Sequence, residues 1–120
     1  MQMSGGIDKE NDRLVQVWAS MQPSYISRTK QNVVGHHYYS RHNKLLRWDL
    51  HNIIPLTVEE HHDLHKGIIK IEIRNPFRKQ YLDNMVNKDY KDYLLEHGIT
   101  DEDFAKLCNK RLKEKISEEL

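Results

Sequence analysis

The chain has 120 residues, 38% of them hydrophobic and 31% charged, with a formal net charge of +1. This is one domain of ordinary size with apolar material for a modest core. It excludes a disordered solvating chain, and no apolar run approaches the ~20 residues needed to span a bilayer.

The near-neutral total conceals an asymmetry. From Arg13 to Trp48 there are six basic residues (Arg13, Arg28, Lys30, Arg41, Lys44, Arg47) and no acidic one, and the acids gather after Asp49. A basic half of this kind is the footprint of a phosphate-binding surface. No charged, then apolar, then small-residue signal opens the chain, and Cys108 stands alone. The expectation is a reducing cytoplasm, no membrane association, and Cys108 as a small buried hydrophobe.

Residues 1–10 read as a flexible start. Leu14, Val17, Trp18 and Met21 then recur at helical spacing until Pro23, which predicts an N-terminal helix with a core-facing stripe. Residues 24–31 form a polar, basic connector. Asn32 to Ser40, with Val33, Val34, Tyr38 and Tyr39, has the β-branched and aromatic content of a strand. Arg41 to Leu50 reads as a loop pinned by Leu45, Leu46 and Trp48, and His51 to Leu56 as a second strand ended by Pro55.

Thr57-Val-Glu-Glu60 is a capping box and Gly67 a fitting C′ residue, so a helix is predicted from about Val58 to Lys66. The alternation of Ile69, Ile71 and Ile73 with Lys70, Glu72 and Arg74 predicts a further extended segment. Asn75-Pro76 opens a helix whose apolar face is read as Phe77, Tyr81, Met85 and Val86. Another helix, with Tyr90, Tyr93 and Leu94, ends near Gly98; Thr100 caps a last one, with Phe104, Cys108, Leu112 and Ile116 at i+4 steps.

Seven of the eight histidines fall within residues 35–67. Packing gives no reason for such a concentration, whereas imidazole is the commonest metal ligand and titrates nearest neutrality. His61 and His65 are i and i+4, one above the other on a helix face, and His62 is rotated ~100° from His61 toward solvent. His36 and His37 are neighbours, which in a regular strand point to opposite faces. For both to reach one site, Gly35 is expected to mark a bulge that re-aims them. His51 and Asn52 likewise oppose one another, so His51 is the lesser site candidate.

The run of His36-His37, Asn52, His61 and His65 resembles the HNH, or ββα-metal, nuclease family, with intervals similar to those of its colicin-type DNases. Ile71-Glu-Ile-Arg-Asn-Pro-Phe77 also looks similar to the tail of phage-encoded members. The resemblance implies an α+β fold over residues 1–120, with a ββα-metal core at residues 33–67 and a helical extension over 75–120. It implies one divalent metal ion (Zn²⁺, Ni²⁺, Co²⁺, Mn²⁺ or Mg²⁺) on His36, His61 and His65. His37 would be the general base, with Asn52 orienting its ring. Arg28, Lys30, Arg41, Lys44 and Arg47 would contact DNA, the implied partner, in the cytoplasm of a bacterial or phage-infected cell. The Cys-x-x-Cys pairs that hold a structural zinc in many relatives are missing, so no second metal is expected. The competing readings are a metal-stabilised nucleic-acid-binding module without cleavage and a histidine-rich metal-binding protein with no nucleic-acid partner.

Overall fold

A computed structural model describes residues 3–120. In chain order it contains helix α1 (Met3–Ser20), strand β1 (Val33–His37), a 3-10 turn (Leu50–Asn52), strand β2 (Ile53–Thr57), and helices α2 (Val58–His65), α3 (Pro76–Val86), α4 (Tyr90–His97) and α5 (Asp101–Glu119). The class is therefore α+β, with helices on both sides of a two-stranded antiparallel sheet in sequence. None of the described helices is long and apolar enough to cross a membrane.

Residues 3–10 are helical, against the expectation of a flexible start; residues 1 and 2 lie outside the described residues. The reason is tertiary. Ile7 packs on the core shared by Leu14, Val15, Phe104 and Leu112. The fully buried Asn11 donates to the Ala105 carbonyl at 3.0 Å and accepts from Asn109 at 3.0 Å, joining α1 to α5. The buried stripe of α1 is Leu14, Val15 and Ala19, with Trp18 at its margin. On α5 the i+4 ladder is as anticipated: Phe104, Cys108 and Leu112 are buried and Ile116 packs beside them. Burial pushes the Cys108 thiol up to about 11, so it is an un-ionised core group.

The sheet is regular. Val33 pairs with Thr57, Gly35 with Pro55 and His37 with Ile53 in unbroken register, so no bulge lies at Gly35. Gly35 serves close approach instead: a Cβ there would sit 2.8 Å from Ile53 Cγ2 and 3.1 Å from Ala19 Cβ. Gln16 of α1 clamps the same residue, accepting from its N–H at 2.8 Å and donating to its carbonyl at 3.1 Å. The small Ala19–Gly35 contact thus seats α1 on β1.

Pro55 lies inside β2 rather than ending it. Its missing N–H falls on the edge away from β1, where a Pro is tolerated, and its carbonyl accepts from Tyr25 N–H at 2.8 Å. Farther along that edge Arg78 donates to the carbonyls of His51 (2.7 Å) and Ile53 (3.0 Å). With both outer edges occupied there is no ladder for a third strand. The alternating segment 68–74 is accordingly irregular, and it buries Ile73 in the core with Leu46, Ile54, Leu56 and Leu82. Helix α3 turns Leu82, Met85 and Val86 toward this core and leaves Phe77 81% exposed, so its expected face is rotated.

Candidate metal centre and its surroundings

Helix α2 begins as its capping box requires. Thr57 Oγ1 accepts from Glu60 N–H at 3.1 Å, and Glu60 Oε1 accepts from Thr57 N–H at 2.8 Å. It ends at Lys66, followed by Gly67 at φ +76°, the left-handed region that favours glycine. The Glu60 carboxylate also accepts from the buried Ser24 hydroxyl at 2.5 Å, and Ser24 Oγ accepts from the N–H groups of Ile26 and Ser27. The helix is therefore tied to the preceding connector by hydrogen bonds. These hold the carboxyl of Glu60 below its ordinary range despite partial burial.

On this fixed helix His61 and His65 face one another, Nε2 to Nε2, at 3.0 Å. His36 approaches from β1, with ring centroids 5.3 Å from His61 and 5.8 Å from His65. One nitrogen from each of the three rings lies within 4.8 Å of the others, a grouping that could hold a metal ion. Nitrogens around a tetrahedral ion with ~2.0–2.1 Å bonds stand about 3.3 Å apart. The His61–His65 separation is already near that figure.

Electrostatics favour the same use. Burial pulls the His36 imidazole down to about 4, and the neighbouring His61, His65 and His37 add to the effect. His61 is lowered by burial, then by His65 and His62. At neutral pH His36 and His61 are uncharged, and each neutral ring keeps one nitrogen with a lone pair. His62 is exposed, as anticipated from its rotation.

His37, the last residue of β1, follows His36 in a regular strand without the expected bulge. It therefore points to the opposite face, and its ring bonds to the loop between the strands. Its Nε2 lies 2.9 Å from the Arg47 main-chain oxygen. A carbonyl only accepts, so Nε2 carries the hydrogen and Nδ1 is left with the lone pair in the neutral ring. Burial lowers the pKa of this ring too.

Asn52 makes no hydrogen bond to His37. It is fully buried, and its carboxamide accepts from Tyr39 N–H at 2.8 Å and donates to the carbonyls of Tyr39 (2.9 Å) and Leu46 (3.2 Å). It staples the two ends of the β1–β2 connection, while the ring of His37 is held by the Arg47 carbonyl within that connection. His51 points elsewhere, with its Nδ1 2.8 Å from Asp49 Oδ1 and its ring 4.9 Å from that of Tyr81. Asp49 raises its pKa.

The basic residues fall into two groups. Arg28 and Lys30 are exposed on the connector before β1. Arg41 and Arg47 converge on Asp12 of α1, at 3.1 Å and 2.6 Å, with side-chain exposures of 57% and 25%. Lys44 is exposed, with its ammonium 5.2 Å from the centre of the Tyr90 ring. The sequence reading missed Asp12, which immediately precedes the stretch without acids. It also missed Ser24, whose partner Glu60 was recognised only as a cap. Neither the Asp12 contacts nor the Ser24–Glu60 pair has a local signal, since those partners lie 29 to 36 residues away.

A largely apolar cleft of about 170 Å³, lined among others by Leu45, Trp48, Phe104 and Cys108, shares no residue with the histidine cluster. Compared with protein-family models, with curated proteins and with solved structures, the chain finds no match.

Proposed function

We propose that the chain is a metal-dependent DNA endonuclease of the HNH type, with β1, β2 and α2 as its ββα-metal core. The observation that carries this reading is the convergence of His36, His61 and His65 on one point, next in sequence to His37 with its Nδ1 free. Three imidazoles would hold the ion and leave positions open, as catalytic rather than structural sites do. All-nitrogen donors suit Zn²⁺, Ni²⁺, Co²⁺ or Mn²⁺ better than Mg²⁺. When bound, the ion would supply Lewis-acid stabilisation of charge on the phosphoryl and departing 3′ oxygens.

The remaining work falls to the protein. His37 Nδ1 accepts the proton of the water that attacks phosphorus as the phosphorus–3′-oxygen bond breaks. The Arg47 carbonyl is a suitable partner for such a base. It accepts the Nε2 hydrogen of the neutral ring and of the imidazolium alike, so the ring need not move as it titrates. Arg28, Lys30, Lys44 and the half-exposed Arg41 are the cations available to backbone phosphates. Arg47 is engaged mainly with Asp12 and contributes less.

Supercoiled plasmid incubated with metal-stripped and metal-loaded protein tests the reading, together with calorimetric metal titration. Cleavage is expected only with metal, and His37→Ala should lose ~10²–10⁴ of the rate while keeping the metal. Metal and DNA binding without cleavage in the unaltered protein would support the binding-module reading instead. Failure to bind any divalent ion would remove both.

A further inference from the structure

We propose that Asp12, on the first helix and outside the histidine motif, is the positioning residue of His37. The carboxylate of Asp12 is saturated by four donors. Its Oδ1 accepts from Arg47 Nε at 3.0 Å and from Trp48 Nε1 at 2.9 Å; its Oδ2 accepts from Arg47 at 2.6 Å and Arg41 at 3.1 Å. Two of these bonds grip the Arg47 guanidinium side-on, the planar two-point geometry in which arginine is most directional. The main-chain carbonyl of that same arginine receives Nε2–H of His37 at 2.9 Å.

The connection is mechanical. Arg47 lies in a turn whose main chain bonds back to Asn43, Arg47 N–H to the Asn43 carbonyl at 2.9 Å. Asn52 holds the preceding Leu46 carbonyl. These contacts fix the turn from inside the loop. Asp12 fixes it from α1, through its two hydrogen bonds to the Arg47 guanidinium. Because α1 is itself clamped to β1 at Gly35 by Gln16, the carbonyl and the ring are referenced to one rigid pair of elements. Asp12 thereby sets the direction of the carbonyl, the carbonyl selects the Nε2–H tautomer, and Nδ1 is left to take a proton. The carboxylate also keeps two guanidinium groups from facing the imidazole without a counter-charge.

The inference rests on the nuclease reading for its kinetic consequence, but not for its structural one, and the test has an arm for each. The imidazole ¹⁵N and ¹³C signals of His37, recorded in the 120-residue protein at mildly alkaline pH, report the tautomer directly. The unaltered protein should show the Nε2–H form, and Asp12→Ala should show a mixture of tautomers. Asp12→Asn keeps the shape but turns an amide toward Arg47, and it should move in the same direction if the alanine variant fails to fold. In the plasmid assay the same variants should lose part of the ~10²–10⁴ in kcat that the base itself contributes. Metal affinity should stay unchanged because no metal ligand is removed, and KM should not rise, because Arg41 and Arg47 lose the carboxylate that occupies them. A folded variant with an unaltered His37 tautomer, or with its loss confined to KM, overturns the proposal. A tautomer shift in a protein that does not cleave DNA upholds the positioning and refutes the nuclease reading alone.

Discussion

Replacing Asn52 separates a role in the fold from a role on the base. Asn52→Ala deletes the three hydrogen bonds by which the buried carboxamide holds Tyr39 and Leu46. The Leu46 carbonyl retains a second donor, Asp49 N–H at 3.3 Å, so the cost falls on the Tyr39 N–H and carbonyl. A buried backbone group left without a partner costs about 1–3 kcal/mol. Tyr39 is only partly buried and water can reach it in part, which places the total near 2–4 kcal/mol. That is a large fraction of the ~5–15 kcal/mol that holds a domain together. In urea it moves the midpoint down by on the order of 1–2 M. Asn52→Asp should be at least as damaging, because it keeps the acceptor for Tyr39 N–H but sets a carboxylate oxygen against two carbonyls. Equilibrium unfolding followed by Trp fluorescence gives both values. If either variant stays within about 0.5 kcal/mol of the parent, the stapling account is wrong.

Metal at about 100 times its dissociation constant should raise stability by about 2.7 kcal/mol, seen as a higher melting temperature, and His61→Ala or His65→Ala should abolish the rise; no rise in the parent would remove the proposed centre. The depressed pKa of His36 means that the unfolded chain binds a proton the native ring refuses, so metal-free stability should fall as pH drops from 6.5 to about 4. His36→Gln should flatten that slope in part, since His37 and His61 are lowered as well; an unchanged slope in calorimetric melts would contradict the burial of His36. Gly35→Ala places a methyl 2.8 Å from Ile53 Cγ2 and 3.1 Å from Ala19 Cβ, an overpacking expected to cost about 1–3 kcal/mol; a variant as stable as the parent in urea would show that α1 does not seat on β1 through this contact.

Some features of the molecule are written in short stretches of chain. Thr57 and Glu60 satisfy one another three residues apart, and His61 and His65 share a helix face because the helical repeat puts them there. Thr100 with Asp103, Asn75 with Pro76, and Gly98 in its left-handed conformation are of the same kind. Each is settled within a turn of helix, so the residues alone determine it, and with them two of the three candidate metal ligands.

Other features were decided by partners far along the chain. The alternation in 68–74 is a valid strand pattern, yet Tyr25, Arg78 and Gln16 had already occupied the edges it would need. Gly35 was conspicuous in the sequence, but whether it marks a bulge or a helix seat depends on where Ala19 lies. Residues 3–10 fold as helix because Asn11 and Ile7 find α5, with Asn11 bonding across 94 positions. The partner of His37 is a backbone carbonyl, which every residue possesses and no sequence pattern distinguishes. Its position follows from Asp12, 35 residues before Arg47. Local spacing thus determined which imidazoles could meet on α2. The tertiary structure decided which nitrogen of His37 is free, because hydrogen bonds to main-chain groups depend on where the chain passes and not on which residues it carries.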